Sequence, residues 1–596
     1  MQKFLLLLFI FLLSILVNAQ VSSKYTISFE NAVHHEANIQ VIFTDLKSDN
    51  VEFRISRSSP GRYAIHEFAK NVYNVKVTDG KGNLLKTTRP NPYAWHVSGH
   101  DGTIRVSYTL FANHGDGTYA QVDETHAHLN MPATFMYVPE LSEKDMEITF
   151  NVREDLNWKV ATQLKHLEGD TYYAKNLQYF MDSPTEIANY KIRFFEVESQ
   201  TVRLILHDDA ASEEDLDTYF EHIKKVVLQQ KAIYGELPEF DYGEYTFLAC
   251  YMPNANGDGM EHRNSTYLVS TRSLSKGGID QNIGTASHEF FHCWNVERIR
   301  PKSLEPFNFE EANMSGELWF AEGFTSYYDD LTLCRAGIIS QSKYITELTG
   351  SFNYVWNSPG RDYFNPIEMS YQAPFVDAAK SVDETNRENT FISYYSYGSM
   401  LGLALDLSLR ENGLNLDDYM KLVWQTYGKT NTFYTIENLN DALNNYAGKD
   451  FGNNFFNNYI YKSGMPDFKH LFETVGVHLS NKNPNVDLGV YVRHGKLMNN
   501  PRINSSAYHA ELQKGDKLQK IAATELTENM DLNELLKSYK VNDDVEVVFE
   551  RFGETKTTTL ILQADTSYTI SLMESDKTPL DKNLKTQREN WLQAKK

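Results

Sequence analysis

The sequence predicts a multidomain α+β protein, and three observations support this fold class. The 596 residues exceed what a single hydrophobic core usually organises. Short segments of alternating apolar and polar residues fill the first 200 positions and return after about residue 486, which is typical of half-buried β-strands. Between these two β-rich parts, a strand–helix–strand pattern leads into apolar segments with helical periodicity.

The composition excludes some classes of function. With 41% hydrophobic and 23% charged residues, the chain is globular rather than disordered. Its formal net charge of −22 makes nucleic acids and anionic membranes poor partners. Three cysteines, Cys250, Cys293 and Cys334, do not form a disulfide framework in a chain of this length. We interpret them as small buried hydrophobic residues.

The first residues predict a secretory signal peptide over residues 1–19. Lys3 supplies the positive start, Phe4 to Val17 form the apolar core, and cleavage is expected after Ala19. This apolar run is shorter than the ~20 residues that a membrane-spanning helix needs, which favours cleavage over an uncleaved anchor. We therefore expect an exported protein, periplasmic or secreted, with no membrane span after signal cleavage.

Residues 20–200 predict a β-rich, sandwich-like domain that supports the site or forms one wall of its cleft. Segments such as YTISF and TIRVSYTLF alternate in the period of a strand and are bounded by turns such as Asp79-Gly80. His126 and His128 would share one face of a strand. A metal site there is conceivable, but no carboxylate or cysteine partner is obvious, and we prefer surface or hydrogen-bonded histidines.

Residues 201–476 predict the domain that carries the chemistry. A strand (VRLILHD), a helix over 212–235 and a second strand (YTFLACYM) precede the segment TASHEFFHCW, which contains an HExxH pattern. Its residues are His288, Glu289 and His292. Helical residues four apart lie ~5–6 Å from each other on one face. Both imidazoles can therefore bind one zinc ion, while Glu289 reaches the water on that ion as general base.

A catalytic zinc ion needs a third protein ligand, and Glu322 is the candidate. It lies in an apolar helix, WFAEGF, where a buried carboxylate without a cation would be rare. Cys293 directly follows His292, about 100° around the helix, so it is not a co-ligand. These residues predict one Zn²⁺ per chain.

An outer carboxylate is expected to accept the second N–H of a zinc-bound histidine. Asp329, seven residues after Glu322 on the same helix face, is the candidate, and Asp330 is its rival. Either could instead be a solvated surface acid.

The segments HEFFHCWNVERIRP and LWFAEGFTSYYDDL resemble the glycyl aminopeptidase family of PDZ-containing zinc metallopeptidases. Further similar segments are SPGRYAIHEFAKNV, GMEHRNST and YYSYGSMLGLALDLSLR. The resemblance implies a gluzincin with a β-rich N-terminal domain, a thermolysin-like α/β plus helical catalytic domain and a C-terminal PDZ domain.

The resemblance also implies two further site residues. In related aminopeptidases a glutamate in a G-A-M-E-N strand binds the free α-amine of the substrate, and Glu261 of DGMEH is similar, although Asp258, Gly259 and His262 depart from that pattern. The alternative for Glu261 is a charge pair with Arg263. A tyrosine three residues before a helical glycine stabilises the oxyanion in similar enzymes, which implies Tyr395, with Tyr394 and Tyr397 as competitors.

Residues 477–565 predict a PDZ-like domain, followed by a polar tail over 566–596 with one possible short helix. The segment SSAYHAELQKGDKLQKI resembles the PDZ signature in which Gly515-Asp516 turns into a strand. Such domains bind extended peptides, often C-termini, by adding a strand to a sheet edge. The alternative is a scaffold that only contacts the catalytic domain.

Together these features predict an exported zinc metallopeptidase acting on peptide substrates. The resemblance implies an aminopeptidase that removes N-terminal Gly or Ala. Two alternatives stay open: an endopeptidase that captures substrates through its PDZ domain, and a non-catalytic peptide-binding protein. The natural substrate and the oligomeric state do not follow from the sequence.

Overall fold

The computed structural model describes residues 21–376, 383–481, 485–527, 530–576 and 578–595. The predicted signal peptide lies outside these described residues. The chain is a multidomain α+β protein with a β-rich N-terminal part and a largely helical part after residue 270, as the sequence predicts. None of the described helices combines the length and apolar character that crossing a membrane requires.

The N-terminal part is built from short strands whose side chains alternate between core and surface, as in β2, where alternate residues are buried. The main sheet has the order β12-β13-β10-β1-β2-β7-β4, beside sheets β11-β14-β9-β8 and β3-β6-β5. All three contribute to one apolar core, which is a sandwich-like arrangement. The elements are β1 (Ser23–Ser28), β2 (Glu36–Phe43), β3 (Asn50–Arg54), β4 (Val72–Asp79), β5 (Thr87–Asn91), β6 (Ala94–Ser98), β7 (Ile104–Phe111), β8 (Gln121–Val122), β9 (His126–Leu129), α1 (Met131–Thr134), β10 (Met146–Asn151), β11 (Lys159–Thr162), β12 (Lys165–His166), β13 (Thr171–Ala174), α2 (Leu177–Met181) and β14 (Thr185–Ala188).

The middle part begins with a five-stranded sheet of order β15-β16-β17-β19-β18, followed by helices that share its core. The first helix, α3, starts at a capping box on Ser212 and ends at Gly235, whose φ of 85° suits a glycine. The elements are β15 (Lys191–Val197), β16 (Gln200–His207), α3 (Glu213–Tyr234), β17 (Glu244–Tyr251), β18 (Asp258–His262), β19 (Ser265–Ser270), α4 (Gly278–Phe291), α5 (Leu318–Ala321), α6 (Gly323–Arg335), α7 (Gln341–Trp356), α8 (Pro366–Ser370), α9 (Ala373–Val376), α10 (Arg387–Thr390), α11 (Tyr394–Glu411), α12 (Leu416–Val423), α13 (Ile436–Ala447), α14 (Lys449–Phe455) and α15 (Phe468–Glu473).

The boundary between these two parts differs from the predicted one. The sequence places it at residue 200, but β15 pairs with β16 along its whole length and therefore belongs to the sheet of the middle part. The alternating pattern of β15 looks the same in either sheet, so the sequence alone does not assign it.

The C-terminal part contains a sheet of order β22-β23-β24-β26-β27, with β25 paired to β24. It has its own apolar core. The PDZ identity of this part stays a prediction. The elements are β20 (Val477–Ser480), β21 (Val486–Asp487), β22 (Val492–Arg493), β23 (Lys496–Leu497), α16 (Ser506–His509), β24 (Lys517–Ile521), β25 (Thr524–Glu525), α17 (Leu532–Leu536), β26 (Asp544–Arg551), β27 (Glu554–Ile561), β28 (Gln563–Ala564), β29 (Thr569–Leu572) and α18 (Lys582–Leu592).

The segment after residue 565 is docked on the middle part. β29 pairs with β20 and packs against α7. In α18, Trp591 is fully buried, and its indole N–H donates to the Tyr327 hydroxyl at 2.9 Å. Lys595 reaches Asp417 at 2.6 Å. The sequence predicts a polar tail with one possible short helix. The helix is present, but the sequence analysis did not predict that Trp591 and Lys595 attach this segment to the middle part.

Candidate active site

The HExxH residues lie at the C-terminal end of helix α4. His288 and Glu289 lie in its last turn, and His292 caps its C-terminal end in helical conformation. The two imidazole ring centres are 4.8 Å apart, as the spacing of four residues predicts. Glu289 and His292 are buried, whereas His288 is half-buried on the side of the cleft.

Glu322 meets both histidines through one oxygen. Its Oε2 lies 3.2 Å from His292 Nε2 and 3.6 Å from His288 Nε2. The expected single helix is broken here, because Glu322 is the joint between α5 and α6. The break lies where α6 crosses α11 so closely that a Cβ on Gly323 would collide with Gly398.

The hydrogen bonds around the histidines fix both Nε2 atoms toward Glu322. His288 Nδ1 lies 2.9 Å from Asp329 Oδ2, and His292 Nδ1 lies 2.6 Å from the carbonyl of Asn295. With Nδ1 donating, each Nε2 offers a lone pair. Two imidazoles and a carboxylate that is 2% exposed form a donor set that fits zinc and leaves a fourth position for water.

The charges of the cluster support the same interpretation. Burial opposes ionisation of Glu322, but His292 and His288 outweigh it and hold the pKa of this carboxyl below its ordinary value. The contacts with Asp329 and Glu322 in turn raise the pKa values of His288 and His292 against the effect of burial, so a bound cation would replace the protons that these imidazoles hold in its absence.

Of the two outer acids considered from the sequence, Asp329 is the one beside His288. Asp330 follows on the exposed side of α6. The spacing of seven residues from Glu322 brings Asp329 to the metal-facing side of the helix.

Glu289 lies under the edge strand β18. Gly259 of that strand has no side chain, and a Cβ there would collide with Glu289 Oε1. Burial raises the pKa of Glu289 to about 7, while the two histidines lower it and Glu261 and Glu322 raise it. A carboxylate with such a pKa can accept and return a proton near neutral pH.

Glu261 points into the same cluster from β18. One of its oxygens lies in a group with Glu289 and His292 in which all the polar atoms are within 4.8 Å of one another. Burial raises its pKa. The alternative of a charge pair with Arg263 is wrong, because Arg263 binds Asp241 at 2.9 Å. The Glu261 carboxylate is therefore directed at Glu289 and His292.

Of the three tyrosines at the start of α11, Tyr395 is beside the histidines. Its ring centre is 5.9 Å from that of His288. Tyr394 packs between Tyr395 and Tyr63, at 4.8 and 6.2 Å. The hydroxyl of Tyr397 is buried and has no hydrogen-bond partner within the described part of the chain.

The N-terminal domain contributes a loop to the site. The sequence analysis identified this loop as a resembling segment but predicted no role for it. Tyr63 donates its hydroxyl to Glu322 Oε1 at 2.7 Å. The next residue back, Arg62, pairs with Asp258 and donates to Thr118 at 2.6 Å. This loop, SPGRYAIHE, is part of the resembling segments, but its contact with Glu322 spans 259 residues and has no local signature.

Asn295 is a second residue whose role the sequence did not disclose. Its side-chain amide donates to the carbonyls of Phe320 and Ala321 at 3.0 and 3.1 Å. It therefore ties the exit of α4 to the turn that presents Glu322, and it fixes His292 through its own carbonyl.

Two family profiles match the chain. Residues 24–189 match the Peptidase M61 N-terminal domain, and residues 281–401 match M61 glycyl aminopeptidase. The second range contains His288, His292, Glu322 and Tyr395. The resemblance predicted from the sequence is confirmed over these ranges.

Two solved structures are also similar to the chain, and the first supports the fold. An aminopeptidase N family protein from Idiomarina loihiensis is 25% identical, with a TM-score of 0.85 over 96% of this chain and 100% of that one. An M1 zinc metallopeptidase from Deinococcus radiodurans is 10% identical, with a TM-score of 0.42 over 73% of this chain and 92% of that one. No curated protein matched the chain.

Proposed function

The chain carries the N-terminal and glycyl aminopeptidase domains of the M61 peptidase family, and we propose on this premise that it is an exported zinc aminopeptidase that removes small N-terminal residues from peptides. The observation that carries the proposal is the convergence of His288 and His292 on one oxygen of Glu322. Export rests on the predicted signal peptide over residues 1–19. The preference for Gly or Ala is supported by the glycyl aminopeptidase family.

Each side chain of the candidate site has a separate role in the proposed peptide hydrolysis. His288, His292 and Glu322 would hold zinc, which when bound supplies Lewis-acid polarisation of a carbonyl and lowers the pKa of water. Glu289, buried beside His292, takes a proton from the attacking water and returns it to the leaving amine. Tyr395 donates its phenolic O–H to the developing oxyanion.

Glu261 would restrict cleavage to the bond next to a free N-terminus. A carboxylate in the cleft attracts the ammonium of a free N-terminus and offers nothing comparable to an N-acetylated chain. β18, which carries it, is the edge strand of its sheet, so an extended peptide can lie along it.

The C-terminal sheet supports the proposal of a peptide-binding PDZ-like domain. A groove runs between the β21–β22 segment and α17, and its apolar lining includes Leu488, Val490, Leu532 and Leu536. Such a groove suits an extended peptide or a peptide C-terminus.

The test is hydrolysis of matched glycyl and alanyl peptides, free and N-acetylated, with and without a zinc chelator. Chelator-sensitive cleavage of the free peptides alone would establish the aminopeptidase. Equal cleavage of the acetylated peptides would remove Glu261 from its role and favour the endopeptidase that uses its PDZ-like domain. Zinc binding without any hydrolysis would leave only a peptide-binding protein.

A further inference from the structure

A second cluster of metal-ligating side chains lies at the seam between the N-terminal domain and the five-stranded sheet. Two members come from each side: β9 and β14 of the N-terminal domain, and β16 and β17 of the sheet. One ligand atom from each lies within 4.8 Å of all the others. The members are His126, Glu186, His207 and Cys250.

Of the two predicted settings for His126 and His128, hydrogen bonding is confirmed and a surface position is wrong. His126 and His128 are fully buried rather than at the surface. Glu186 and Cys250 lie 60 and 124 residues after His126 along the chain, so sequence spacing did not reveal them. The buried thiol of Cys250 is likewise not surrounded only by apolar groups, because its sulfur lies 3.5 Å from His207 Nδ1.

The cluster has polar atoms that the protein itself does not satisfy. All four side chains are at most 2% exposed. Among the residues that the structure describes, His126 Nε2 has no hydrogen-bond partner. Glu186 Oε1 has only the His207 imidazole close to it, with Nδ1 at 3.3 Å. A buried polar atom without a partner is destabilising, so this arrangement indicates a ligand.

Neighbouring side chains orient His126 and Glu186 through hydrogen bonds, as is usual for the ligands of bound metals. His126 Nδ1 faces the Asp123 carboxylate at 3.3 Å and the Thr125 hydroxyl at 3.1 Å, which leaves Nε2 as the lone-pair donor. Tyr267 donates its hydroxyl to Glu186 Oε2 at 2.7 Å and leaves Oε1 directed at the cluster. His207 and Cys250 are register partners on adjacent parallel strands, so their side chains share one face.

We propose that this cluster binds a second zinc ion, with a structural role at the domain seam. Zinc bonds of ~2.0–2.3 Å in a tetrahedron place neighbouring ligand atoms about 3.3–3.8 Å apart. The observed 3.3 and 3.5 Å separations from His207 Nδ1 agree with this. Imidazole and thiolate donors select zinc among the common divalent metals. One thiolate and one carboxylate also neutralise its charge.

The proposed ion would fix how the two domains meet. Four protein ligands leave no open position for a substrate, which is the pattern of a structural site. The same seam delivers Tyr63 to Glu322 and Arg62 to Asp258. An ion held equally by both domains therefore stabilises the orientation on which these contacts with the active site depend.

Metal analysis of the purified full chain is the first test, and it does not depend on activity. Two zinc ions per chain are expected for the native protein. One is expected for the His288→Ala, His292→Ala double variant, and one for Cys250→Ser, while Cys334→Ser, which removes another buried thiol, keeps both. A single ion in the native protein that disappears in the His288/His292 variant would overturn the proposal. A single ion that persists there and disappears in Cys250→Ser would support it even if the proposed active site binds no metal.

Sulfur ligation gives a second test, and its first measurement uses the native protein alone. The proposed catalytic ligands contain no sulfur, so a zinc–sulfur distance of ~2.3 Å in X-ray absorption of the native protein reports only on the seam. Cobalt substitution should likewise give a thiolate-to-metal charge-transfer band, present in Cys334→Ser and absent in Cys250→Ser. A metal-loaded protein without sulfur in its coordination would refute the assignment.

Discussion

Replacing Tyr63 by Phe tests whether the N-terminal domain holds the proposed zinc ligand in place. The change removes one hydroxyl, which donates to Glu322 Oε1 at 2.7 Å in a buried setting. A hydrogen bond to a charged group is worth ~1.5–3 kcal/mol. If that energy orients Glu322 for the metal, zinc binding weakens about 10- to 150-fold. Outer ligands of metal sites show effects of this size.

The assay is competition for zinc against a chelator of known affinity, together with kcat/KM at saturating zinc. Tyr25→Phe is the matched control, because its hydroxyl donates to the Met136 carbonyl at 3.0 Å in the core of the same domain. The control should lower stability without altering zinc affinity. Equal zinc affinities and equal kcat/KM for Tyr63→Phe and the native protein would refute the reasoning.

Three further changes test separate parts of the structure. Glu289→Gln should retain zinc, measured by metal analysis, and lower kcat by ~10²-fold or more, because the general base is lost. Glu261→Gln should lower kcat/KM for free glycyl peptides and leave any cleavage of acetylated peptides unchanged. Asp417→Asn breaks a buried pair with Arg335 at 2.9 Å and should cost ~3–5 kcal/mol in denaturant unfolding, whereas exposed Asp418→Asn should cost little. Burial opposes ionisation of Asp417 but Arg335 and Lys595 hold its pKa below the ordinary value, so this stabilisation is present above about pH 4 and lost on further acidification.

The parts of the site that follow from local periodicity are readable from the sequence. Helix geometry alone brings His288 beside His292, and the seven-residue spacing brings Asp329 to the face of Glu322. The apolar surroundings of Glu322 indicate burial, and a buried carboxylate needs a cation. The break at Glu322 is different, because it depends on the close approach of Gly323 to Gly398, and those residues are 75 positions apart.

The contacts between residues far apart in the chain could not be derived from local periodicity. Tyr63 and Asn295 act through contacts that only the folded chain creates. The seam cluster shows the same limit, because four ordinary strand residues gain their chemistry only where two sheets meet. A pair of histidines two apart on a strand predicts a shared face, but not what that face will meet.

The domain seam also contributes to the geometry of the candidate active site. Gly61 lies at a close approach of the two domains, and its φ is 75°. A Cβ on this residue would collide with Met260 and lie 2.9 Å from Glu261 Oε2. The loop thus presses against the strand that carries the proposed amine anchor, while its neighbour Tyr63 holds a proposed zinc ligand. Hydrogen bonds weaken within a few tenths of an ångström, so both contacts require the domains to keep one orientation. The proposed ion, with two ligands from each domain, would supply that rigidity from the inner strands β16 and β17 of the same sheet.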